Sequence, residues 1–312
     1  MQGAAASLAA LLAGAIDYAG LFPPASLAID AAAGVYLRHL AGPHRGLLGR
    51  FVVPAAQLDA LAGAARALNP RPASGDGPGR WPLTALASLP AAADVERILR
   101  FNERHAEGHE WRARVEAIEV RAATPDETRA AARDAGGLEL FVEVPAHPVP
   151  LALLEAVVEA GGRAKVRTGG AKPDAFPPPG HLAAWLAYCA GLRLPFKATA
   201  GLHHPIRAVR PLAGSADSPR AAMHGFVNVL MAAALLRADR IDAQKAAALL
   251  DERDPAAFAF DDQQAAWRGE SLATTELADA RAFALGFGSC SVDEPIEDLA
   301  ALGLLTSAPP AS

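Results

Sequence analysis

Lysine is almost missing from this chain. Of 29 lysines and arginines only Lys165, Lys172, Lys197 and Lys245 are lysines. Cysteine is equally scarce: Cys189 and Cys290 stand far apart, form no CxxC pair and give no basis for a disulfide framework, so a reducing cytoplasm is the expected setting. A basic surplus is lacking too. The net charge is -5 and the arginines are scattered, which argues against a nucleic-acid partner. Every apolar run is broken by charge, Gly or Pro before the roughly 18 residues a membrane span needs, so no membrane partner is expected. The apolar start has no basic n-region and runs into a strand and turn, which argues against a signal peptide. There is no GxGxxG turn after an early strand, and no HxH, HExxH or Cys/His cluster.

What is present is alternation. Short β-rich runs are separated by Ala/Leu-rich stretches of helical period, the pattern of parallel βαβ units. Strands are predicted at Ala15 to Tyr18, Gly49 to Pro54, Pro82 to Ser88, Glu116 to Arg121, Leu138 to Pro145, Ala164 to Gly169, Pro195 to Gly201 and Ala282 to Ser291. Helices are predicted between them, at Gln57 to Leu68, Ala92 to Glu107, Pro125 to Asp134, Pro150 to Ala160 and His181 to Ala190. Eight such units give an α/β chain folded as a (β/α)8 TIM barrel, read as one domain over residues 1–312. A helical insertion at about 205–280 separates strands seven and eight. The Pro/Gly-rich stretches Asn69 to Arg80, Lys172 to Gly180 and Pro211 to Arg220 read as loops. A doubly wound open sheet is the alternative fold.

The scarcity of lysine gives the survivors chemical interest, because arginine cannot lose its proton and so cannot act as an amine nucleophile. Lys245 sits on a polar helix face and reads as a surface residue. Lys165 and Lys197 lie inside predicted neighbouring strands, where alternation lets both point into the barrel. Two inward ammonium groups would repel each other, and burial also disfavours charge, so one pKa is expected to fall toward neutrality, as an imine-forming lysine requires. The competing reading pairs each lysine with a carboxylate, such as Glu119 or Glu143, in a buried ion network.

Several of these segments resemble one family. KVRTGG (Lys165 to Gly170) is similar to the Lys-x-x-Thr-Gly strand of the 2-deoxyribose-5-phosphate aldolases, class I aldolases on a (β/α)8 barrel. FKATAG (Phe196 to Gly201) resembles their next strand, AIDYAGLFPPA (Ala15 to Ala25) their first, EAIEVR (Glu116 to Arg121) their fourth, and FGSCS (Phe287 to Ser291) their last phosphate-binding turn. The resemblance implies a Schiff base on Lys165, a pKa-lowering cation at Lys197 and a proton shuttle at Glu119. It also implies substrate-binding roles for Asp17, Thr168, Gly288, Ser289 and Ser291, a small carbonyl substrate, and no cofactor or metal.

The chain departs from the family at Arg167, which replaces a small polar residue and offers a fork for a carboxylate or phosphate. It departs again at GLHHP, where His203 and His204 could orient or protonate a substrate. Deoxyribose 5-phosphate itself is therefore not the expected substrate. At the start of the last helix, Asp293 and Glu294 oppose a phosphate, so helix capping competes with anion binding there. Two other functions stay open. One is a metal-dependent isomerase or lyase using Asp17, Glu119, Glu143, His203, His204 and His224; the other is a barrel that binds without catalysis. His39, His44, His105, His109 and His181 read as surface residues.

Overall fold

The computed structural model describes residues 1–68, 80–105, 111–212 and 218–306. Eight strands close into a barrel: β1 (Ile16–Tyr18), β2 (Leu48–Pro54), β3 (Trp81–Leu86), β4 (Ala113–Arg121), β5 (Glu139–Val144), β6 (Arg163–Arg167), β7 (Phe196–Thr199) and, after a long excursion, β13 (Ala284–Ser289). Every neighbouring pair is parallel, and β13 closes the ring between β7 and β1. All eight expected strands are present, with ends shifted by at most three residues.

The helices follow the apolar stripes of the sequence. In α3 (Leu58–Leu68) the buried positions are Leu58, Leu61, Ala62 and Ala65, the spacing of one helical face. In α5 (Pro125–Asp134) the start is fixed by a capping box in which Thr124 accepts from the Glu127 amide, with Pro125 in the first turn. The remaining barrel helices are α4 (Ala92–Arg104), α6 (Leu151–Glu159), α7 (Pro179–Gly191) and the final α11 (Asp293–Ala301). Two early helices, α1 (Ala6–Leu12) and α2 (Ile29–Leu40), precede and follow β1.

The segment between β7 and β13 is mixed rather than helical, a correction to the sequence reading. It opens with an antiparallel pair, β8 (Ala208–Pro211) and β9 (Arg220–Met223), followed by helices α8 (Phe226–Arg237) and α9 (Ala243–Asp251). A three-stranded antiparallel sheet follows, made of β10 (Phe258–Phe260), β11 (Gln264–Trp267) and β12 (Glu270–Ala273), and then α10 (Thr274–Ala280). Helix α8 is buried from Phe226 to Leu236 because α7, α9, α10 and β13 pack around it. The expected loop at Asn69 to Arg80 lies almost wholly outside the described residues, as do His109 and residues 213–217 of the loop at Pro211 to Arg220.

Two histidines assigned to the surface are buried. The His105 ring packs against Phe101 and Trp111, and His44 is 5% exposed. Imidazole tolerates such sites as a neutral ring. No helix among the described residues is long and apolar enough to cross a membrane.

Candidate active site

Strand pairing sets the site. Arg121 on β4 pairs with Glu143 on β5, Glu143 with Lys165 on β6, and Lys165 with Lys197 on β7, so one register row runs across four adjacent strands. Arg167 pairs with Thr199, Thr199 with Gly288, and Gly288 with Asp17, which forms a second row reaching β1. Side-chain alternation directs alternate residues of each strand inward, so the two rows meet inside the barrel.

Within this space two amines and three carboxylates interlock. Lys165 Nζ lies 2.6 Å from Glu119 Oε2 and 2.8 Å from Glu143 Oε2. Lys197 Nζ donates to Asp17 Oδ2 at 2.6 Å and pairs with Glu119 Oε1. Glu119 thus bridges both lysines, one oxygen to each. The amine of Lys197 also lies 5.0 Å from the centroid of the Phe141 ring, a cation–π contact. Lys165 is 7% exposed and Lys197 2%.

The charge state follows from this geometry. Burial alone would raise the pKa of Glu119, but the attraction of Lys197 and Lys165 and their hydrogen bonds outweigh it, and the carboxyl is held down at about 2. Burial works against the ammonium of Lys197, yet Asp17 and Glu119 overcome it and its pKa is raised. The expected fall from mutual repulsion is therefore not found at Lys197. Carboxylates inserted between and beside the amines replace repulsion with attraction.

Asp17 is held from two sides. Its Oδ1 accepts from the Arg50 amide at 2.8 Å while Oδ2 faces Lys197. Gly49 makes room for it: a Cβ there would stand 2.6 Å from Asp17 Oδ1 and 2.8 Å from Gly14 O. Thr168, fully buried, donates its hydroxyl to Ala200 O at 2.7 Å, which ties the end of β6 to the turn after β7. Gly288 is needed because a Cβ would come within 2.8 Å of Thr199 Oγ1.

The remaining candidates are engaged elsewhere. His203 Nδ1 lies 3.2 Å from Glu294 and 3.9 Å from Cys290 Sγ, and His204 Nδ1 lies 2.5 Å from Asp298, so both reach toward α11 and its N-terminal turn. Burial opposes protonation of His203, but hydrogen bonds to Cys290 and Glu294 raise its pKa to about 9. Ser289 accepts from the Ser291 amide and Ser291 from the Glu294 amide, which caps the helix start. His224 belongs to the inserted segment, where it contacts Pro177 O and Arg207. Among the described residues, no group of three or more His, Cys, Asp or Glu side chains is placed to hold a metal ion. Asp17, Glu119 and Glu143 point instead at lysine amines. Lys245 pairs with Glu270 on the surface.

The structure adds Arg121 to the residues singled out as the site, and it places Glu143, expected as an ion-pair partner, beside Lys165. Arg121 was reachable from sequence, since it follows Glu119 by two positions on one strand. Comparison with protein-family models and with curated proteins gives no match for the chain.

Proposed function

We propose that this barrel is a class I aldolase-like lyase that forms a Schiff base between Lys165 and a small carbonyl substrate. The observation that carries the reading is the pair of buried amines at one register level, bridged by Glu119, with Lys165 the more exposed of the two. The resemblance of the lysine strands to the 2-deoxyribose-5-phosphate aldolases supports the same assignment.

Lys165 must first lose a proton, and two carboxylates are in reach, Glu119 at 2.6 Å and Glu143 at 2.8 Å; Glu119 also pairs with Lys197, so the proton is assigned to Glu143. The free amine then attacks the carbonyl carbon, and a proton moves from nitrogen to oxygen to give a carbinolamine. Protonated Glu143 returns its proton to the departing hydroxyl, which leaves as water, and a protonated imine remains on Lys165. In the cleavage step the substrate's β-hydroxyl gives its proton to a site carboxylate while the C–C bond electrons flow into the imine. A second carbonyl product leaves, the resulting enamine takes a proton at carbon, and water releases the first product. Glu119, ionised at neutral pH, enters such a cycle as a base, and Lys197 holds it in place.

Imine formation makes the α-hydrogens of a ketone exchange with solvent through the enamine. In deuterated buffer, proton NMR should show protein-dependent loss of those signals from a panel of small ketones and keto acids. Lys165→Met should abolish it. Exchange that survives the substitution contradicts the reading.

The competing reading, a barrel that binds without catalysis, is favoured by one observation: both amines already sit in ion pairs. Ligand binding that proceeds with no exchange, in wild type and Lys165→Met alike, would establish it.

A further inference from the structure

Above the lysines, the mouth of the barrel carries two guanidinium groups. Arg121 and Arg167 each lie two residues beyond an inward site residue, Glu119 and Lys165, so the alternation of β4 and β6 brings them to the same side one step nearer the strand ends. Both approach one carboxylate from different sides. Arg121 Nε stands 3.7 Å from Glu143 Oε1, and Arg167 Nη1 stands 4.0 Å from Glu143 Oε2. These separations exceed hydrogen-bond length, so the pairing leaves the donor forks open. The side chains are 83% and 49% exposed, respectively.

Charge at the mouth is unbalanced. Lys165, Lys197, Arg121 and Arg167 face Asp17, Glu119 and Glu143, which leaves one positive charge in excess. An imine on Lys165 is itself cationic and does not remove it. The excess lies at the entrance, where a guanidinium fork recognises a planar carboxylate through paired, charge-assisted hydrogen bonds. The rival anion site, at the start of α11, has its Glu294 amide engaged by Ser291 and carries Asp293 and Glu294 in its first turn.

Distance then admits a short acid. Lys165 Nζ and Arg167 Nη1 lie 2.8 and 4.0 Å from the same oxygen of Glu143, so amine and guanidinium are separated by no more than those two lengths combined. One C–C bond, a carboxylate and a charge-assisted hydrogen bond of about 2.8 Å span that gap.

We infer that Arg121 and Arg167 form the substrate's carboxylate site, and that the carbonyl compound is a 2-oxo acid, with its carboxylate bonded directly to the carbon that Lys165 attacks. This assignment of substrate class rests on the Schiff-base reading, whereas the carboxylate site can be tested without it.

Two measurements separate them, with pyruvate and its uncharged methyl ester as probes. Isothermal titration calorimetry of the full chain should show pyruvate binding that weakens by about tenfold or more in Arg121→Gln and in Arg167→Gln, the loss of a charge-assisted contact. Borohydride trapping on Lys165 should be half-maximal at far lower pyruvate than methyl pyruvate, and the arginine variants should erase that preference while still trapping the ester. Equal trapping of both probes, or a preference for pyruvate that survives in both variants, overturns the carboxylate site while the imine stands. Arginine-dependent pyruvate binding without any adduct keeps the site and overturns the imine. Neither binding nor adduct overturns both. Circular dichroism checks that the variants fold, and Arg167→Lys, which keeps the charge but not the fork, should restore only part of the affinity.

Discussion

Glu119 lies between two ammonium groups that would otherwise repel each other inside a barrel, and each of its oxygens faces one of them. Replacing it with Gln keeps the shape and removes the charge, leaving two buried amines to share Asp17 and Glu143. Breaking a buried ion pair from one side typically costs about 3–5 kcal/mol, far more than an intact pair contributes, because the remaining charge is left uncompensated. Glu119→Gln should therefore lower unfolding free energy in urea by roughly that amount. A loss below about 1 kcal/mol would show that water or a neighbouring group already compensates the amines. The lysines were legible in sequence because so few lysines remain and these two fall inside apolar strands. The carboxylates were less so. Thirty-four acidic residues are spread along the chain, and strand register tells Glu143, beside Lys165, from Glu139 two pleat repeats below.

At the scale of elements, two backbone positions hold the site. Gly49 on β2 gives Asp17 its room, and Gly49→Ala should push Asp17 off Lys197 at a cost of about 1–3 kcal/mol from overpacking. Chemical denaturation measures the cost, and unchanged stability would mean that β2 shifts freely. Ala200, just after β7, is held at a φ of 64°, a left-handed conformation that disfavours a Cβ by about 1–2 kcal/mol. Glycine loses part of that gain through the flexibility of the unfolded chain, so Ala200→Gly should stabilise the protein by about 0.5–1 kcal/mol. A lower melting temperature would contradict this. The barrel strands were readable because they are buried, β-rich and spaced by helices. The three-stranded sheet in the insertion was not. Its strands are three or four residues long and rich in alanine, which reads as helix. The usable signal was the Arg268–Gly269 turn, where both residues have positive φ, as a two-residue hairpin between twisted strands requires.

For the whole molecule, a buried polar network runs through the insertion and reaches the barrel at His224, whose Nε2 lies 2.7 Å from Pro177 O, just before α7. Asn228 on α8 accepts from the Arg207 amide and donates to the carbonyls of Leu249 and Glu252, while Arg207 pairs with Asp251 and reaches His224. Burial lowers the pKa of His224 to about 4, with the Arg207 charge adding to the effect. The unfolded chain binds a proton at His224 below about pH 6.5, and the folded chain resists it, so this stability is present above pH 6.5 and is lost as pH falls toward 4. The loss should reach about 3 kcal/mol. His203 acts in the opposite sense: its raised pKa contributes stability that is full below pH 6.5 and is lost as pH rises through about 9. These two histidines together place an optimum near pH 6.5. Melting curves from pH 4 to 10 should show it, with His224→Leu flattening the acid side and His203→Gln the alkaline side. A profile unchanged by both substitutions would mean that neither site differs from the unfolded chain.

Under the proposed function, Lys165 is a nucleophile and not only a partner in an ion network. Intact-protein mass spectrometry after borohydride reduction with small aldehydes, ketones and keto acids tests it most directly, followed by peptide mapping. The expected result is a covalent adduct on Lys165 that is absent from Lys165→Met and formed most readily with a 2-oxo acid. No adduct with any carbonyl, or one confined to the exposed Lys172 and Lys245, would contradict it.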